Sequence, residues 1–224
     1  MYLSKAKVST RDFVYDTIHD LIMTLELAPG KAISEKDIAD ELQVSRTPVR
    51  EAFLRLSEDE LLHVLPQRGS FVTLIDASHV EDARFVREHT EAAIIRLACS
   101  SFDTHCMNQL ESNLTDQKVA KVDEDEDALF SLDKEFHRLL AEGTNKIRVW
   151  EVNQRMNVHL NRLRKLSMHS KMNWELLIEQ HEALIEAVKM GKADIAEQLM
   201  RHHLTLLQYD QAALKEKYPH YFSA

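Results

Sequence analysis

The sequence predicts a mainly α-helical protein in two parts: a winged helix-turn-helix of three helices and a small β-hairpin over residues 1–75, then an all-α six-helix bundle over residues 76–224. The segment from Ser34 to Val72 carries the first half of that reading, because two short capped helices and a Gly-tipped hairpin follow one another in register. The second half rests on texture. Beyond Ile75 proline and glycine nearly vanish, and apolar residues recur at helical spacing as far as Lys217.

Taken in order, a helix around Val14, Ile18 and Ile22 comes first, followed by the turn LAPGKAIS. Ser34 has Asp37 three positions on, the spacing of a capping box, and Ile38, Ala39 and Leu42 then share one face of a short helix. Gln43 and Val44 make the turn. Ser45 is placed to cap a second helix from about Arg46, whose first turn tolerates Pro48 because amides there have no intrahelical acceptor. Val49, Phe53, Leu54 and Leu56 are expected to face the core. Leu61–Leu65 and Ser70–Leu74 read as strands around Pro66-Gln67-Arg68-Gly69, where Gly69 supplies the permissive backbone of a tight tip.

Arg46, Thr47 and Arg50 put two guanidiniums and a hydroxyl on the N-terminal end of that second helix, an end suited to the major groove of a DNA duplex. Arg68 at the hairpin tip is suited to a minor groove. Residues 1–75 hold nine Lys+Arg against twelve Asp+Glu, so reading DNA requires the basic residues to gather on one face, away from Asp12, Asp16 and Asp20.

The bundle helices are expected at about 78–100, 104–121, 126–142, 146–168, 172–189 and 193–216, with Gly143 and Gly191 as breaks. Asp133 and His137, four apart, project from one helical face. His181 lies in an apolar stripe between Leu177, Ile178 and Leu184, Ile185. His203 sits likewise among Leu199, Met200, Leu206 and Leu207, and is preferred over His202, which neighbours Gln198 and Thr205. One carboxylate and three imidazoles suit zinc, manganese, nickel or iron without selecting among them. The same histidines would also serve as hydrogen-bonded core residues, and spacing alone does not decide. The acidic run Asp123–Asp127 lacks the glycine of a calcium loop and reads as a solvated connection.

The segments SRTPVREAFLRL and PQRGSFV resemble the GntR family of bacterial winged helix-turn-helix regulators over roughly residues 10–75. That resemblance implies DNA contact by Lys36, Ser45, Arg46, Thr47, Arg50, Arg68 and Gly69. Glu60 departs from the pattern, standing where the family usually has glycine. D-x-x-x-H, EQHEALIEAV and GKADIAEQLMRHHL are similar to the FCD effector domain of FadR-type GntR regulators over roughly residues 78–215. The resemblance implies that Asp133, His137, His181 and His203 form a metal set and that Arg87 faces the effector pocket, where a guanidinium would clamp a small carboxylate such as a sugar acid or organic acid. An ion pair between Arg87 and Glu91 is the competing role. Asn145, Arg162 and Arg164 are further pocket candidates. Retention of all four metal candidates argues against the family's acyl-CoA-binding branch.

The function expected is therefore a ligand-responsive regulator, a repressor acting as a homodimer on a near-palindromic double-stranded DNA operator. The competing class is a metal-dependent hydrolase or lyase with a DNA-binding appendage, which lacks a general base because Glu135 is rotated away from Asp133 and His137. Lys5, Lys7 and Arg11 precede no apolar run of a secretory signal, no stretch is long enough to span a membrane, and Cys99 and Cys106 suggest no disulfide framework, so a cytoplasmic protein is expected.

Overall fold

The computed structural model describes residues 9–223, with the backbone alone for residues 206–210; Lys5, Lys7 and the side chains of Leu206 and Leu207 lie outside it. The described chain divides into two compact units, one of residues 9–76 with 218–223 and the other of residues 77–217.

In the first unit α1 (Thr10–Met23) starts at Ser9, whose hydroxyl accepts from the Asp12 amide. It buries Val14, Ile18 and Ile22, one turn apart, next to α3 (Arg46–Glu58), which buries Val49, Ala52, Phe53 and Leu56. Each such side chain removed from water contributes about 1.5–3 kcal/mol. Leu54, expected in the core, is exposed because it lies off the Val49–Phe53–Leu56 face. Helix α2 (Glu35–Glu41) begins at Ser34, whose hydroxyl accepts from the amides of Lys36 and Asp37, and Gln43 makes the turn into α3 with a left-handed backbone.

Strands β2 (Leu62–Leu65) and β3 (Gly69–Val72) form the hairpin, with Leu65 opposite Gly69 and left-handed backbone at Gln67 and Gly69. A third strand not anticipated from sequence, β1 (Ala32–Ile33), pairs with Phe71 and Ser70 and places β3 in the centre of the sheet. Two residues are too few for alternation to register. The chain's last residues were expected in the bundle but belong to this unit: Phe222 pairs with Ile75 in a parallel bridge, and the Ile75 amide donates to the Tyr221 carbonyl over 2.8 Å.

The second unit is a bundle of seven helices among the described residues: α4 (Ala77–Ser100), α5 (Thr104–Val122), α6 (Glu126–Gly143), α7 (Ile147–Met156), α8 (Val158–His169), α9 (Trp174–Lys189) and α10 (Ala193–Lys217). The single helix expected over 146–168 divides at Asn157, whose amide is shared between the carbonyls of Asn153 and Gln154. Buried Asn153 donates to Thr90 of α4, fixing the end of α7 by a side-chain bond. The core is built around Leu110, Leu129, Phe136, Leu139, Leu184 and Met200. No described helix is long and apolar enough to cross a membrane.

Candidate functional site

Each residue expected to meet DNA is on the surface: Lys36 on α2, Ser45, Arg46, Thr47 and Arg50 at the start of α3, and Arg68 and Gly69 at the hairpin tip. Ser45 occupies the N-cap position with extended backbone, but its hydroxyl makes no capping bond, contrary to expectation. Pro48 is the third helical residue and has no N–H to donate, so the bond that a capping serine usually accepts cannot form there. The hydroxyl and the first amides of α3 are thus left for an external acceptor. Arg46, Arg50 and Arg68 make no ion pair among the described residues. By contrast Arg55, at the other end of α3, binds Asp12 and lies 3.8 Å above the Tyr15 ring, so the acids of α1 hold a different arginine.

In the bundle, Asp133, His137, His181 and His203 converge from α6, α9 and α10, and one ligand atom from each lies within 4.8 Å of the others. All four are buried, His181 completely. The outer nitrogen of every imidazole faces a side-chain oxygen: His137 Nδ1 is 2.5 Å from Glu91 Oε2, His181 Nδ1 is 2.8 Å from Gln117 Oε1, and His203 Nδ1 is 2.9 Å from Gln180 Oε1.

For His181 the polarity of this chain is fixed from its far end. The Leu132 carbonyl can only accept, so Asn113 presents its amide N–H there over 3.0 Å and its oxygen to Gln117 Nε2 over 2.6 Å. Gln117 Oε1 is left to accept from His181 Nδ1, and the inner Nε2 of His181 is a bare lone pair. That atom is buried and has no hydrogen-bond partner, with Asp133 Oδ1 3.5 Å away. His137 Nε2 and His203 Nε2 stand 3.3 Å apart. Acceptors gathered around one point fit a cation between them, and the donor set is that of a divalent transition metal.

Burial pushes the pKa of His137, His181 and His203 down; Glu91 opposes the shift, most strongly for His137, and Arg87 adds to it, and the net lowering favours the neutral imidazole that a ligand requires. Burial alone would raise the Glu91 carboxyl, but Arg87 and His137 outweigh it and hold Glu91 well below the usual carboxylate range. Phe136 stacks on His181 with ring centroids 3.9 Å apart and holds its plane.

The cluster opens through Asp133, His137 and His203 onto a cavity of about 70 Å³. Arg87 lines it and also binds Glu91 through Nε over 2.5 Å, so the pocket-facing and ion-pair roles coincide in one residue. Arg164 lines it too and bonds Asp133 Oδ2. Arg162 and Asn145 do not line it. Arg162 is fully buried beside His159, 2.9 Å away, on the other side of α8, and burial pushes its pKa down to about 10. Asn145 is exposed in the left-handed turn after α6, where it terminates a helix.

Arg84, Ser167, Trp174, Gln117 and Gln180 were not singled out from sequence, since their roles depend on which helices meet. His202 is exposed, whereas His203 is buried. Glu135 pairs with Arg138 at 2.6 Å and does not belong to the cluster. Cys99 and Cys106 are free thiols.

Residues 10–72 match the family described as bacterial regulatory proteins, gntR family, and residues 82–206 match the FCD domain. The chain is 33% identical, over 100% of its length and 93% of the relative's, to an HTH-type transcriptional regulator in an unstable DNA locus of Streptomyces ambofaciens. It is also 33% identical to the HTH-type transcriptional repressor RspR of Escherichia coli, with 93% of this chain and 89% of that protein covered. In fold it is similar to E. coli McbR/YncC, with a TM-score of 0.77 at 21% identity and 95% and 100% of the two chains covered.

Proposed function

The chain is a transcriptional regulator of the GntR family with an FCD domain, not an enzyme, and from that premise we propose that it is a repressor whose bundle holds a divalent metal ion and a small carboxylate effector. The observation that carries the reading is the convergence of Asp133, His137, His181 and His203 on one point that opens into an arginine-lined cavity. The ion would be zinc, manganese, nickel or iron. When bound it supplies a Lewis-acidic point that takes one carboxylate oxygen. The chain's own residues do the rest: Glu91, Gln117 and Gln180 orient the imidazoles, Arg164 holds Asp133, and Arg87 presents its guanidinium to the cavity.

The exposed, unpaired Arg46, Arg50 and Arg68, with Lys36, Ser45, Thr47 and Gly69, support binding to a double-stranded operator. A homodimer reading a near-palindromic site from both protomers follows from the use of one recognition helix per chain. Names of two relatives as repressors favour repression over activation. A cytoplasmic location follows from the need to reach chromosomal DNA.

Native mass spectrometry with elemental analysis of gently purified protein tests the reading in one measurement. The expected species is a dimer with one transition-metal ion per protomer. In His181→Ala the ion should be lost, because one of four ligands and the common tether of three helices go together. A monomer without metal would overturn both the dimer and the effector-site assignment while leaving DNA binding to stand.

A further inference from the structure

The lining of the cavity is chemically mixed. Asp133, His137 and His203 of the metal set with Arg84, Arg87 and Arg164 supply its ionisable groups; the rest is largely Leu160, Met168, Met172, Trp174, Leu177 and Leu204. Ser167 and Asn173 supply the uncharged polar groups of this wall. A polyhydroxylated acid would leave hydroxyls against leucine, methionine and tryptophan, and an unmatched buried hydroxyl costs about 1–3 kcal/mol. An unsubstituted carbon chain meets the same wall favourably.

Charge narrows the ligand further. Arg87 is paired with Glu91, Arg164 with Asp133, and Arg84 with both Glu81 and Glu88. Arg201, which also reaches Glu88, is itself paired with Glu197. Every lining guanidinium is thus already held by a carboxylate of this chain, so a second carboxylate on the ligand would have to compete with one of them.

We infer that the effector is a short monocarboxylate with an unsubstituted apolar tail, neither a sugar acid nor a dicarboxylate. This rests on the reading of the cavity as the carboxylate effector site and sharpens it.

Calorimetric titration of zinc-loaded full-length protein with paired probes separates the terms. Affinity should rise about fourfold for each CH₂ from acetate through propionate to butyrate. Propionate should bind at least tenfold more tightly than glycerate, which has the same carbon count and two hydroxyls. Butyrate should bind at least tenfold more tightly than succinate, which differs by a second carboxylate. Leu177→Asn, and separately Met172→Gln, should flatten the acetate-to-butyrate series towards equal affinity; two sites are used so that misfolding of one variant does not decide the result. Tighter binding of glycerate or succinate than of its partner would overturn the inference and leave a carboxylate site standing. Failure of every acid to bind would overturn the carboxylate site itself.

Discussion

At the scale of single residues, the buried histidines make the bundle sensitive to acid. Burial lowers the folded-state pKa of His137, His181 and His203, so an unfolded histidine, near 6.5, takes up its proton first as pH falls. The contribution of these neutral imidazoles to stability is complete above about pH 6.5 and is lost below it, by up to about 1.4 kcal/mol per histidine for each pH unit. Chelator-treated protein should therefore unfold at lower urea concentration at pH 5.5 than at pH 7.5, and an unchanged midpoint would remove these histidines from the account. Glu60 carries a different cost. Its φ of 59° lies in the left-handed region, at the position where the family resemblance expects glycine. A side chain there is strained by about 1–2 kcal/mol, and glycine returns part of that gain as unfolded-state entropy. Glycine at this position would remove that strain.

At the scale of elements, the start of α3 and the hairpin tip should separate in a DNA-binding assay. Arg46→Ala and Arg50→Ala each remove a forked donor from the end of an exposed helix and should weaken operator binding by about 1–3 kcal/mol with loss of base preference. Arg68→Ala should weaken binding with the major-groove preference intact, because its expected contact is to minor groove or backbone. Footprints unchanged in both α3 variants would sink the recognition-helix assignment. These elements were legible because capping residues, proline and alternation are local signals. Helix α6 shows where locality ends. Gly143 reads as a helix break, yet it is the last residue of α6, and a Cβ there would run into the Phe102 ring of the connection between α4 and α5, so it is glycine for close packing. The metal set illustrates the same divide: Asp133 and His137 share a face by spacing, whereas Gln117 and Gln180 acquire a role only once α5 and α9 have brought them against His181 and His203. Asn145 and Arg162 stand apart from the cavity lining: Asn145 lies in the turn after α6, and helix phase alone does not reveal which side of α8 borders the cavity.

At the scale of the whole molecule, the chain passes between its two units twice, once at residues 76 and 77 and again at residues 217 and 218. The second passage was not legible, because a short Tyr/Pro-containing end carries no periodicity. Helix α10 bears His203 and runs to Lys217, after which the chain joins the DNA-binding unit through the Ile75–Phe222 bridge and the bond from the Ser223 amide to the Ile75 carbonyl over 3.0 Å. A ligand alters DNA affinity only if it interacts differently with two states of the protein, and a covalently continuous helix from ligand to DNA-binding unit is one route by which that difference is transmitted. Phe222 is buried, and losing a buried phenylalanine contact should cost about 1.5–3 kcal/mol. A chain ending at Lys217 should therefore lose stability in its DNA-binding unit by that order, bind the operator more weakly, and show a smaller change in operator affinity when butyrate is added to the zinc-loaded protein. The comparison is a titration of labelled operator with the full and shortened chains, with and without the acid. An undiminished response in the shortened chain would assign the communication to the passage at residues 76 and 77 and leave the terminal segment a stabilising role alone.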